Sequence, residues 1–383
     1  MCLFSPFECS KFKIQVTQKD YFMKTKTVAT LVASAALTLA VNSSYAENSQ
    51  APALTIDAST LSETWDKVFP EDKRANHHKV VFHNRFGISM VGDLYTPANM
   101  KKGDKLRAIA VAGPYGAVKE QVSGRYAQEM AARGFIALAF DPAFTGESAG
   151  EPRNISSPEL NTEDFLAAVD YLLNNENVAD GKVGIIGICG FGGFALNAAA
   201  QDPRIKATVT STMYDMTRVM ANGYFDEGKS PEELKANRQK ARAQIATQRT
   251  VDYKNGYYAT TGGNPKKIKD DMPQFLKDYI NFYETKLGYH ERSYGSTSGA
   301  TVTSSATFMN MPILTYADEI ETPVLMIHGQ KAHSRYFSEG AFKKIKGDNK
   351  ELYIIPNANH TDLYYKMDVI PFDKIETFFE KNL

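Results

Sequence analysis

The chain has 383 residues, with 44 Lys and Arg against 44 Asp and Glu, so its formal net charge is zero. With 43% hydrophobic and 11% aromatic residues, it has the composition of a soluble globular protein able to bury a sizeable core. No basic run is strong enough for a nucleic-acid footprint, which leaves a small molecule as the expected partner.

The first 46 residues read as a leader. From Met23 there is a basic start (Met-Lys-Thr-Lys), an apolar run from Val28 to Val41, and Ser44-Tyr45-Ala46, the small-x-Ala pattern of a signal-peptide cleavage site. Met23 is then the expected start and residues 1–22 an upstream extension. The expected destination is the periplasm, with no stable membrane insertion after cleavage, because the run is short for a span and carries Ser and Thr. Cleavage removes Cys2 and Cys9 and leaves Cys189 as the one thiol, which excludes a disulfide scaffold in an oxidising compartment.

Beyond the leader, a first helix is expected around Leu61 to Phe69. Val80–His83, the turn Asn84-Arg-Phe-Gly87 and Ile88–Tyr95 make a hairpin pattern closed by Pro97. Leu106–Ala112 is a buried strand running into Gly113-Pro-Tyr-Gly-Ala117, and a helix from about Gln121 to Arg133 stops at Gly134. Phe135–Phe140 is the next strand, leading to the loop Asp141–Ser148. Thr162 is positioned to cap a helix whose Phe165, Ala168, Val169, Leu172 and Leu173 share one face.

The stretch from Lys182 to Gln201 follows: an apolar strand over Val183–Gly187, a turn crowded by Gly190, Gly192 and Gly193, and an alanine-rich helix stopped by Pro203. Strand, sharp glycine turn and helix are the setting of a nucleophile elbow, and Gly187-Ile188-Cys189 puts a cysteine at the nucleophile. The closing glycine falls one place late, at Gly192, with Phe191 where it should stand. Gly190-x-Gly192-x-x-Ala195 also satisfies a dinucleotide fingerprint, although that motif opens a domain on its first strand and several elements precede it here.

After a strand Ile205–Ser211 the alternation breaks. Residues 216–318 carry charged helical stretches such as Ser230–Thr250, and Tyr253, Tyr257, Tyr258, Tyr279, Tyr283, Tyr289 and Tyr294. An insertion this long between two strands reads as a cap. The alternation resumes with a strand Pro323–His328, a helix around Tyr336–Ile345, a strand Leu352–Pro356 and a last helix from Pro371. Strands alternating with helices predict an α/β fold with a mostly parallel sheet covered on both faces. The expected organisation is a core of residues 47–215 and 319–383 with a helical cap at 216–318.

His360, after the last strand, obeys the order nucleophile then histidine and is the expected base. A thiol of ordinary pKa is mostly protonated at neutral pH, so a neighbouring imidazole and a helix N-terminus are what it needs. The acid is expected at Asp215, in Ser211-Thr-Met-Tyr-Asp215, with Glu339 as the alternative and a helix N-cap as the other reading of Asp215. The oxyanion hole is expected from the backbone N–H groups of Gly190 and Tyr115.

These motifs together resemble the bacterial α/β-hydrolases related to dienelactone hydrolase. The resemblance runs through Gly113-Pro-Tyr-Gly-Ala-Val-Lys-Glu-Gln121, Ala139-Phe-Asp-Pro142 with Gly146-Glu-Ser148, Gly187-Ile-Cys-Gly-Phe-Gly-Gly193, Ser211-Thr-Met-Tyr-Asp-Met216, His328-Gly329 with Ala332-His-Ser334, and Asn359-His-Thr-Asp-Leu-Tyr364. It implies an α/β-hydrolase fold, a cysteine nucleophile at Cys189 and a carboxylic ester, lactone or thioester as substrate, with no cofactor and no metal. A second alignment puts the nucleophile position at Phe191, which would leave a non-catalytic binding protein on a hydrolase frame; a peptidase is the third reading.

Overall fold

The structure, a computed structural model, describes residues 54–264 and 268–383; the leader read at 1–46 lies outside the described residues. At its centre is an eight-stranded sheet of β1 (Ala75–His83), β2 (Ser89–Pro97), β3 (Leu106–Ala112), β4 (Ile136–Phe140), β5 (Val178–Ile188), β6 (Thr208–Ser211), β7 (Val324–Gly329) and β8 (Lys350–Ile355). In space the strands follow the order β1-β2-β4-β3-β5-β6-β7-β8. The β1–β2 hairpin is antiparallel, as is β2 with β4; from β4 to β8 every pairing is parallel. The central strands are unbroken apolar runs because both faces are covered: Ala108–Ala112 and Val183–Ile188 are buried throughout.

The covering helices are α1 (Val122–Ala132), α2 (Pro158–Leu173) and α3 (Phe191–Gln201), then α4 (Met216–Asn222), α5 (Pro231–Asn255), α6 (Gln274–Tyr283) and α7 (Ser305–Asn310) between β6 and β7. The chain closes with α8 (Arg335–Lys344), α9 (Asp362–Tyr365) and α10 (Phe372–Asn382). Among the described residues no helix is long and apolar enough to cross a membrane.

Two local expectations are corrected. Residues 61–69 form no helix: Trp65 Nε1 donates to the Phe69 carbonyl at 2.9 Å, and the Glu63 carboxylate accepts from Lys79 N at 3.1 Å, which lays the segment along β1. The helix assigned to a Thr162 cap starts a turn earlier, because Ser157 accepts from Leu160 N and Pro158 takes the first helical position. Thr162 lies inside, its Oγ1 donating to the Pro158 carbonyl at 2.8 Å.

Sheet order decides where chemistry can sit. From β3 the chain moves to β4 on one side, and its other neighbour is β5, so a crevice opens beyond the carboxyl ends of β3 and β5. The turns after β3 and β5 meet there.

Candidate active site

Cys189 occupies the tip of the turn between β5 and α3. Its φ is +53°, in the left-handed region that costs a non-glycine residue about 1–3 kcal/mol and persists where the surroundings hold it. They do hold it. Cys189 N donates to the Ser211 carbonyl at 2.9 Å, while its own carbonyl accepts from Gly192 N at 3.0 Å and Tyr214 N at 2.8 Å. Phe191 is not at the tip. It starts α3 with its ring 2% exposed, edge-on to Phe165 at 6.0 Å and Phe194 at 5.2 Å, and so belongs to the core.

The loop after β3 is pressed against this turn. A Cβ added at Gly113 would meet the Ile188 carbonyl oxygen at 2.2 Å, and one added at Gly190 would meet Tyr115 Cβ at 2.6 Å. That contact brings the backbone N–H groups of both Tyr115 and Gly190 to the Cys189 thiol, where each favours the thiolate. The Tyr364 hydroxyl is a third partner of the sulfur. Burial outweighs all three and pushes the thiol up to about 11, so at neutral pH it carries its proton.

His360 follows β8 and is 2% exposed. Its Nε2 lies 2.9 Å from the Tyr364 hydroxyl; its Nδ1 lies 2.6 Å from Ser334 Oγ and 2.8 Å from Thr212 Oγ1. Ser334 Oγ continues to His328 Nε2 at 2.9 Å, and His328 Nδ1 to Ser338 Oγ at 2.7 Å. Burial, together with His333 and His328 nearby, holds His360 well below the usual imidazole range. Burial brings His328 down to about 3 and His333 to about 4. All three are therefore neutral at pH 7.

The expected acids are corrected here: neither is brought to the histidine. Asp215 Oδ1 accepts from Arg218 N at 2.9 Å and Thr217 Oγ1 at 2.5 Å, which makes it the N-cap of α4. Glu339 pairs with Arg335 at 3.0 Å on α8, both side chains 39% exposed. Among the described residues the neighbours of His360 Nδ1 are hydroxyls, and a buried imidazole lies behind them.

The insertion splits its tyrosines. Tyr253, Tyr257, Tyr258 and Tyr289 are exposed, from 45% to 92%. Tyr279 lies edge-on to His360 at 5.3 Å, Tyr283 lies near Cys189, and Tyr294 stacks edge-on against Tyr115 at 5.8 Å. Tyr214, on the core side, hydrogen-bonds Tyr279 at 2.9 Å and also His333. Cys189, His360 and Tyr364 are 7%, 2% and 0% exposed, so the site is closed as it stands.

Comparison with known proteins gives this arrangement a lineage. The family model for X-Pro dipeptidyl-peptidase (S15 family) matches residues 87–362, well over half of the chain. The chain belongs to the S15 family. The membership and the motif resemblance meet at the α/β-hydrolase superfamily, to which the fold also belongs. An uncharacterized protein of Pseudomonas aeruginosa is 51% identical over 326 residues, covering 84% of this chain and 85% of that protein. The crystal structure of a hypothetical P. aeruginosa protein at 50% identity aligns with a TM-score of 0.81 over 86% of this chain and 100% of that one. A thiohydrolase of Aspergillus aculeatus is 30% identical over 141 residues, covering 37% of this chain and 42% of that protein. At 19% identity, the α/β hydrolase GrgF of Penicillium shares the fold, with a TM-score of 0.64 over 80% of this chain and 99% of that one.

Within this S15 frame, reading the sequence missed Thr212, His328, Ser334 and Tyr364. One signal was available for Tyr364, four residues after His360 and so one helical turn away. For Thr212 the signal is in the backbone, a β-branched residue at φ +47°, which no sequence pattern displays.

The raised thiol pKa has a direct consequence. The rate of Cys189 alkylation by iodoacetamide is expected to be low at pH 7 and to climb about tenfold per pH unit toward pH 11, since the thiolate is the nucleophile. Peptide mass spectrometry of the Cys189 fragment measures it, and a rate already level below pH 8 would contradict the assignment.

Proposed function

We propose that this S15-family α/β-hydrolase cleaves esters, lactones or thioesters through a covalent acyl intermediate on Cys189, with the residues of 216–318 acting as a cap and the whole exported by its leader. The observation that carries this reading is the convergence of the Tyr115 and Gly190 N–H groups on a cysteine held at the left-handed tip of a strand–helix turn. Two donors at that point would stabilise the oxyanion that forms when sulfur adds to a carbonyl. His360 takes the thiol proton as the S–C bond forms; the tetrahedral adduct then collapses, the leaving group departs, and His360 activates water for release of the acid.

The nature of the leaving group follows from the hydroxyls that stand at His360 Nδ1, where no carboxylate lies among the described residues. An amine departs only after protonation, which needs an imidazolium well stabilised at its far nitrogen; thiolates and activated alkoxides depend on it less. Hydroxyls at His360 Nδ1 therefore favour thioesters and esters over amides. The name of the A. aculeatus thiohydrolase agrees with that preference.

A peptidase is the second reading, favoured by the family match. A dipeptide-releasing enzyme must hold the substrate's terminal ammonium, and a carboxylate is available at Asp278, whose Oδ2 accepts from Asn359 Nδ2 beside His360 at 3.2 Å. One experiment separates the two. The protein is mixed with a short-chain acyl thioester, and in parallel with an X-Pro p-nitroanilide, then quenched and weighed intact. The expected result is an acyl adduct on the Cys189 peptide from the thioester. Release of nitroaniline with no thioester turnover would replace this reading with the peptidase.

A further inference from the structure

Among the described residues the hydrogen-bond partners of His360 are Thr212, Ser334 and Tyr364, and the thiol is not one of them. The Tyr364 hydroxyl lies 2.9 Å from His360 Nε2 and also neighbours the Cys189 thiol. Tyr364 is fully buried and its ring is fixed edge-on by His360 at 5.2 Å and Phe282 of α6 at 5.0 Å. Tyr283, also of α6, lies beside Tyr364.

One proton arrangement around this hydroxyl suits a transfer from sulfur to nitrogen. In the tautomer with its proton on Nδ1, the imidazole donates toward Ser334 and Thr212 and its Nε2 lone pair points at Tyr364. The phenol has one proton and two lone pairs. In that tautomer it donates to Nε2 and keeps its lone pairs free to take the thiol proton.

We propose that Tyr364 is a catalytic residue that carries the thiol proton of Cys189 to Nε2 of His360. This rests on the acyl-cysteine reading above. As sulfur adds to the acyl carbon, the S–H bond breaks and its proton bonds to the Tyr364 oxygen, while the phenol's own proton passes to the Nε2 lone pair. Tyr364 ends as a neutral phenol, His360 as an imidazolium, and the electron pair displaced from the carbonyl resides on the oxyanion. The reverse transfer through Tyr364 delivers the proton to the leaving group. Burial holds the phenol well above its ordinary range and the imidazole well below its own, so a free phenolate would be costly and the two transfers run together.

The test uses the full chain, a short-chain acyl thioester, and three proteins: wild type, Tyr364→Phe and Cys189→Ala. In Tyr364→Phe, kcat is expected to fall by roughly 10²-fold or more with KM little changed, the range of a lost acid–base step. In wild type, the dependence of kcat on the fraction of heavy water is expected to curve, as two protons in flight require. A linear dependence in wild type overturns the relay even if Tyr364→Phe does not fold. A Tyr364→Phe kcat within about twofold of wild type, with Cys189→Ala inactive, also overturns the relay and leaves the acyl-cysteine reading standing. Full activity in Cys189→Ala overturns that reading itself.

Discussion

Cys189→Ala is expected to lower the turnover of acyl thioesters by roughly 10³-fold or more while leaving the fold intact, because it removes the covalent route and little else. The main chain at residue 189 is held by three hydrogen bonds that do not involve the thiol, so alanine should keep the left-handed tip. The Tyr115 and Gly190 N–H groups should survive the substitution and account for any residual rate. Cys189→Ser is expected to recover little. A hydroxyl holds its proton far more tightly than a thiol, and burial already pushes the thiol up to about 11. No carboxylate among the described residues stands behind His360 to draw that proton away. Nor can Phe191 substitute, since its side chain is enclosed by Phe165 and Phe194. Steady-state rates at saturating thioester, beside circular dichroism of both variants, are the measurement. A folded Cys189→Ala that keeps more than about a tenth of the activity would remove cysteine from the mechanism.

What could be read from the sequence was what rests on runs of apolar residues. Ala108–Ala112 and Val183–Ile188 have the composition of strands covered on both faces, and the hairpin around Asn84–Gly87 declares itself by its turn. The tip at Cys189 was legible for the same reason, because strand, glycine turn and helix are adjacent in the chain. The polar half of the site was not. Thr212, Ser334 and Tyr364 converge on His360 from the end of β6, the start of α8 and α9, and single hydroxyls at such separations leave no periodic trace. Asp215 misled because a carboxylate after a strand serves equally well as a helix cap. For the tyrosines of the insertion, position in the chain alone does not distinguish Tyr253, which faces solvent, from Tyr283, which is buried near Tyr364.

Lys119→Met is expected to destabilise the fold by about 3–5 kcal/mol, the range for stranding buried carboxylates without their partner. Lys119 is fully buried, with Nζ 2.5 Å from Glu120, 2.9 Å from Asp141 and 2.5 Å from Glu147. These three carboxylates could otherwise share a cation, and here the ammonium already stands among them. Arg292 of the insertion reaches Glu120 at 2.7 Å and Lys79 reaches Glu147 at 2.8 Å, but Asp141 would keep only the backbone donors Lys119 N and Glu147 N. Burial, opposed by Lys119, already pushes Asp141 up to about 6. Without the ammonium its folded pKa should rise further above the unfolded value. A carboxyl raised in this sense destabilises the folded state above its folded pKa and is relieved as protonation sets in below it. The gap between wild type and Lys119→Met should accordingly be widest near pH 8 and narrow toward pH 5, as urea melts at the two values would measure. A gap that widened on acidification would contradict the assignment. The same lysine lies four residues beyond Tyr115 on the loop after β3, and its N–H is tied to Asp141 Oδ1 at 2.8 Å. Loosening that loop should move the Tyr115 N–H away from Cys189, so catalysis in Lys119→Met should decline under conditions where the protein is still folded.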